Sequence, residues 1–163
     1  MSTPSKPICP VRIRAISLDL DDTLWPASPS LIRAEERAHA WLAEHAPPVA
    51  AMWSVDKLRE LRMGHYHAHP ELHHNLLHIR RIAMQDAFTR AGVAPADALI
   101  EGSLEAFMTA RNEVTFYPEV EACLARLAQR YALGSLSNGN ADITKMSIGR
   151  HFTTVISAPT HGT

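Results

Sequence analysis

The chain has 163 residues, 46% of them hydrophobic and 20% charged, with a formal net charge of −1. That length suits one ordinary domain, or one domain with a small insertion, and the apolar content supports a packed core. The balanced charge, without a Lys/Arg run, excludes the footprint of a nucleic-acid binder, and no apolar stretch approaches the roughly 18 residues of a membrane span.

Met1 to Pro10 is short, rich in Pro and Ser, and lacks the apolar core of a signal peptide; it reads as a loose tail. The two cysteines, Cys9 and Cys123, form no closely spaced framework. They read as free thiols in a reducing, cytoplasmic setting.

Val11 to Leu20 alternates at first, with Val11, Ile13 and Ala15 against Arg12 and Arg14, and then turns mostly apolar. This predicts a strand entering a buried sheet, ended by the carboxylate-rich Asp19-Leu20-Asp21-Asp22-Thr23. Ser30 to Ala46 is helical in pattern, with Leu31, Ala34, Ala38, Trp41 and Leu42 on one face and Pro47-Pro48 as the stop. A second helix runs through Trp53, Leu58, Leu61 and Met63, with Ser54 or an earlier residue as its cap. Pro70 suits the first turn of a third, which carries Leu72, Leu76, Ile79, Ala83 and Phe88 and ends at Gly92. Pro95 opens a fourth, through Leu99, Leu104 and Phe107.

Pro118 opens a further helix with Val120, Cys123, Leu124 and Leu127 on its apolar face. Tyr131 to Leu136 reads as a short buried strand ending at Ser137-Asn138-Gly139, Ala141 to Gly149 as a helix, and Thr153 to Ser157 as a third strand. Strands alternating with helices predict parallel βαβ units. The expected fold is α/β: a Rossmann-like parallel core, residues 11–29 and 113–163, interrupted by an all-helical insertion at 30–112.

In open α/β sheets, ligands bind at the carboxyl ends of the strands. Asp19 to Thr23 and Ser137 to Gly139 both fall at such ends. Two carboxylates at i and i+2 repel unless a cation lies between them, and Mg2+ with its oxygen ligands meets that need. A metal-bound carboxylate can attack phosphorus, and a second can protonate the leaving oxygen and then activate water. A hydroxyl and backbone N–H groups at a neighbouring strand end can hold phosphate oxygens. The bland alternative is a solvated turn with Asx-type backbone bonds.

Ile16-Ser17-Leu18-Asp19-Leu20-Asp21-Asp22-Thr23-Leu24, an apolar strand followed by Asp-x-Asp-x-Thr, resembles the first motif of the haloacid dehalogenase superfamily. Leu136-Ser137-Asn138-Gly139 resembles its second, and the helical stretch between them resembles its inserted cap. The resemblance implies Asp19 as nucleophile and Mg2+ ligand. It implies Asp21 as acid/base, ligating Mg2+ through its backbone carbonyl, and Ser137 as a hydrogen-bond donor to the transferring phosphoryl group. Asn138 and Thr23 join Ser137 around the substrate, although Thr23 and Asp22 are expected to shape the turn more than to do chemistry. The implied activity is a Mg2+-dependent phosphatase acting on a small phosphorylated metabolite.

Ser137 to Asn140, Ala158 to Gly162, and Pro70 through Arg80 resemble bacterial phosphatases of this superfamily linked to flavin biosynthesis, which act on ribityl or flavin phosphates. Asn75 stands where that group often has Asp. A 2-haloacid dehalogenase also uses an Asp nucleophile but needs neither metal nor the second Asp; a phosphomutase shares the Asp-x-Asp.

The family completes its site with a Lys and with later Asp residues that hold the metal. Here the lysines are Lys6, Lys57 and Lys145, none in that context, and the chain ends at Thr163. The resemblance therefore implies a truncated, three-stranded core with weak stability, little turnover and an apolar edge open to self-association. A non-catalytic remnant that binds phosphate or a partner is the competing reading of another class. Ten histidines include His65, His69 and His73 at helical spacing. A zinc site there is the alternative to a polar helix face.

Overall fold

The computed structural model describes residues 12–158. The N-terminal tail with Lys6 and Cys9, Val11 at the head of the first expected strand, and Pro159 to Thr163 lie outside the described residues.

Three parallel strands form one sheet in the order β1 (Ala15–Leu18), β2 (Ala132–Ser137), β3 (Thr154–Ser157). β1 pairs Ala15 with Ala132 and Leu18 with Ser135; β2 pairs Gly134 with Thr154 and Ser137 with Ser157. The central strand thus carries the second polar motif and the edge strand the first. β1 is shorter than its apolar run, because from Asp19 onward the carboxylates and the turn take the chain out of the ladder.

Between β1 and β2 the chain is helical until the return to the sheet. α1 (Ala27–His45), α2 (Pro47–Met52), α3 (Val55–Ala68), α4 (Leu76–Arg90) and α5 (Asp97–Arg111) follow in order, and α6 (Val120–Ala128) leads into β2. α1 starts three residues before the expected Ser30. Pro29 suits a first turn, and Asp22 Oδ1 accepts the Ala27 N–H at 2.9 Å. Pro47-Pro48 ends α1 as expected, and the same pair opens α2, since the missing Pro N–H costs nothing at N1. Ser54 caps α3, accepting the N–H of Lys57. Pro70 sits in a separate 3-10 turn, Pro70–Leu72, and α4 begins later, capped by Asn75, which accepts the N–H of His78. Gly92, at φ 68°, closes α4, and the Val93 N–H reaches Phe88 O at 3.1 Å.

The helix expected over Ala141 to Gly149 is replaced by two 3-10 turns, Ile143–Lys145 and Ser147–His151. Asp142 Oδ1 accepts both the amide and the hydroxyl of Thr144, which tightens the first turn and competes with α-helical pairing.

The apolar residues gather in separate clusters. Leu20, Leu24, Trp25, Val120, Leu124, Leu133, Ile143 and Ile148 pack beside the sheet. Leu42, Val49, Met84, Ala87, Phe88, Ile100 and Leu104 pack among the helices, with Ala34, Ala38, Phe107 and Ala110 at the contact of α1 and α5. No helix is long and apolar enough to cross a membrane among the described residues.

Candidate active site

Leaving β1, the chain folds back at once. Thr23 and Leu24 donate their N–H groups to Leu20 O at 3.2 and 2.8 Å, and Asp22 donates to Trp25 O at 2.8 Å. Asp22 takes φ 58°, a left-handed conformation that Asp tolerates better than most side chains. Asp22 and Thr23 therefore build the turn, and Thr23 is exposed. Asp19, at the strand's end, is also exposed; its Oδ1 accepts the Leu20 N–H at 2.8 Å, while among the described residues no hydrogen bond involves Oδ2.

Asp21 points the other way, toward the helices. Its two carboxylate oxygens lie 2.6 and 2.5 Å from Arg111 Nη2, and the indole N–H of Trp25 donates to Oδ1 at 2.9 Å. Arg111, in the last turn of α5, is 1% exposed. Its Nη1 donates to Ser30 Oγ at 2.9 Å, and its Nε has no hydrogen-bond partner among the described residues. The resemblance had offered a Lys as the cation of the site. Lys57 lies in α3, and Lys145 Nζ is 3.9 Å from Asp142 in the 3-10 turn after β2. Among the described residues, the cation paired with a motif carboxylate is Arg111, on Asp21. Sequence reasoning missed it, because a basic residue in a helix's last turn is ordinary macrodipole chemistry.

β2 brings Ser137 to the same place. Its hydroxyl accepts the Gly139 N–H at 3.2 Å. A Cβ built on Gly139 would fall 2.5 Å from Asp21 Oδ2 and 3.4 Å from Ser137 Oγ. The glycine is thus the point at which the two motifs meet, and only its bare Cα leaves room. Asn138 is exposed. The following loop is pinned to the return from α5 by Asp142 N–H donating to Asn112 Oδ1 at 2.8 Å.

The Asp19 carboxylate and the Asp21 main-chain carbonyl offer hard oxygen donors. That chemistry suits Mg2+, which commonly takes one or two carboxylates and fills its shell with water and substrate phosphate. A cleft of about 580 Å3 adjoins the turn, between Asn75, Leu77 and Met108 of the helical region and Leu20, Ser135 and Ile156 of the core. Its size falls in the usual range for small-molecule sites.

Three histidines of the His65–His78 stretch engage other partners. His65 Nε2 meets Asp86 Oδ2 at 3.0 Å, His69 Nδ1 meets Glu71 Oε1 at 3.1 Å, and His73 Nε2 donates to Tyr66 O at 2.7 Å while stacking on the Tyr66 ring. Among the described residues, no group of three or more His, Cys, Asp or Glu gathers as a metal site.

A family model described as haloacid dehalogenase-like hydrolase matches residues 13–162. The chain is 29% identical over 153 residues to the 5-amino-6-(5-phospho-D-ribitylamino)uracil phosphatase YigB of Escherichia coli (strain K12), covering 93% of this chain and 64% of that protein. It superposes on the crystal structure of a 2-haloacid dehalogenase from Pseudomonas syringae pv. Tomato DC3000 with a TM-score of 0.82 and 33% identity, covering 91% of this chain and 65% of that one. The L-2-haloacid dehalogenase of Xanthobacter autotrophicus with covalently bound chloropropionic acid shares the fold, at 22% identity and a TM-score of 0.50 over 90% of this chain and 57% of that one. The chain thus spans 57% to 65% of the length of these relatives.

Proposed function

The chain belongs to the haloacid dehalogenase-like hydrolases, and from that membership we propose that its site hydrolyses a phosphate monoester with Mg2+, through an aspartyl-phosphate on Asp19. The observation that carries this reading is the convergence of Asp21 and Ser137 on Gly139, beside an exposed Asp19 with an uncommitted oxygen.

Asp19 Oδ2 attacks phosphorus and the bond to the ester oxygen breaks, leaving phosphate on the carboxylate. Asp21 gives a proton to the departing alkoxide. It then takes one from the water that attacks the aspartyl-phosphate, so inorganic phosphate leaves, Asp19 is again a free carboxylate and Asp21 again carries its proton. The Ser137 hydroxyl and the Asn138 amide hold the phosphoryl oxygens, and the Gly139 N–H orients Ser137 Oγ. Arg111, with Trp25, fixes the Asp21 carboxylate. Mg2+, held by Asp19 and the Asp21 carbonyl, would offset phosphate charge as the anionic nucleophile approaches.

Helices α1 to α5 act as the cap over this site, and the cleft beneath them receives a small phosphorylated metabolite. The likeness to YigB supports a phosphorylated ribityl compound as substrate. The sheet order leaves the outer edge of β1 unpaired among the described residues, and a second copy pairing there would appear as a concentration-dependent dimer in sedimentation.

The test is Mg2+-dependent hydrolysis of an aryl phosphate, with Asp19→Asn as control. Turnover abolished by that substitution supports the reading. Folded protein with no turnover above the control defeats it and leaves a non-catalytic phosphate-binding or partner-binding role. The similarity to the Pseudomonas enzyme keeps 2-haloacid dehalogenation as the second reading. Halide release from 2-chloropropionate without metal would favour it, and Asp21 would then have no chemical part.

A further inference from the structure

Away from the active site, three arginines surround one carboxylate in the helical region. Glu35 of α1 is 9% exposed. Arg59 of α3 takes most of it, with Nε and Nη2 at 2.8 and 2.7 Å from Oε2. Arg62, one turn on, reaches Oε1 only at 3.3 Å, and Arg80 of α4 only at 3.5 Å. Asp56, the other carboxylate nearby, is exposed and engages Arg59 alone. Glu35 therefore cannot balance Arg62 and Arg80. Consistent with this, burial, followed by the neighbouring Arg62 charge, pushes the Arg80 guanidinium down to about 9. Arg80 leans on the Phe107 ring at 3.7 Å, a weak substitute for an anion.

The excess charge faces a defined space. Arg62 Nε is buried without a hydrogen-bond partner among the described residues. A cavity of about 20 Å3 lies among Glu35, Arg59, Arg62 and Arg80, with Leu58 and Met84 on its apolar side. That volume holds one particle of about the size of a water. Water would satisfy the Nε and leave the excess charge. A sulfate or phosphate would need the helices to part. We propose that this cavity binds one chloride-sized anion, which completes the docking of α3 on α1 and α4. α3 has no fully buried residue of its own; Leu58 and Leu61 are only partly buried against the helical core, and this charged seam adds to what holds it. The proposal is independent of the chemistry at Asp19.

The experiment is thermal unfolding of the whole chain in sodium chloride and in sodium gluconate at equal ionic strength, with hydrogen exchange followed in α3. Chloride is expected to raise Tm saturably, by about 3–6 °C at ten times its dissociation constant, and to slow exchange in α3. Arg62→Gln should abolish the difference. Glu35→Gln, which adds one net positive charge to the cavity, should enlarge it. Equal Tm values in the two salts overturn the proposal, as does a chloride effect that survives in folded Arg62→Gln. If Glu35→Gln does not fold, Arg62→Gln alone decides.

Discussion

Arg111 Nη2 lies within 2.6 Å of both carboxylate oxygens of Asp21, a residue 90 positions earlier in the chain. The guanidinium is almost wholly buried, and its other contact is the neutral Ser30 hydroxyl. Asp21 thus neutralises a buried cation at the junction of sheet and helices, whatever chemistry it also performs.

The two motif carboxylates should therefore respond differently to the same change. Asp21→Asn leaves Arg111 without a counter-charge and is expected to cost about 3–5 kcal/mol. Asp19→Asn, at an exposed position, should stay within about 0.5 kcal/mol of the parent. Urea unfolding of both variants checks this, and equal midpoints would refute it.

Gly139→Ala tests whether the motifs share one space. The new methyl would sit 2.5 Å from Asp21 Oδ2 and must push the carboxylate or the Ser137 loop aside. The expected result is a loss of about 1–3 kcal/mol from overpacking. Turnover on the proposed substrate class should fall about 100-fold, as for a misplacement near 1 Å. Unchanged turnover would mean that the Asp21–Ser137 approach is not used.

Asp86 predicts a response to acid. Its pKa is lowered, first by hydrogen bonds from Arg90, at 2.8 and 2.9 Å, against some opposing burial, and then by His65. A carboxylate with a lowered folded-state pKa binds fewer protons folded than unfolded near its ordinary value. Its contribution is complete above about pH 4 and is lost as the pH falls through the lowered value. Asp86→Asn should flatten the decline in stability below about pH 4. A parent and variant with parallel pH profiles would contradict it.

The helix caps give a smaller, local effect. Asn75 Oδ1 accepts the His78 N–H at 3.0 Å. Asn75→Ala should cost about 0.5–2 kcal/mol, while Asn75→Asp should retain the bond. Equilibrium unfolding of the two variants distinguishes them, and an Asn75→Ala variant as stable as the parent would remove the cap from the account.

Much of the secondary structure was legible because it is local. The apolar run before Asp19, the helical face of 30–46, and the caps at Ser54 and Gly92 follow from side-chain spacing and backbone bonding within a few residues, whereas the third helix was expected from Pro70 and instead starts at Leu76 with Asn75 as its cap. Pro47 was read as a stop, when the same missing N–H also lets it start α2. Ala141 to Gly149 has helical spacing, yet the Asp142 and Thr144 side chains compete for the backbone and shorten the turns.

The sequence by itself determined the candidate chemistry: two carboxylates and a hydroxyl at the ends of parallel strands. Only the tertiary structure decided their surroundings. Strand register brings Ser137 and Asp21 to either side of Gly139, the α5 return carries Arg111 to Asp21, and the α1–α3–α4 packing sets three arginines on Glu35. Charge pairing depends on distances of a few ångströms between segments far apart in sequence. Periodicity records which face of an element is buried, and holds no information about which charge waits on the other side.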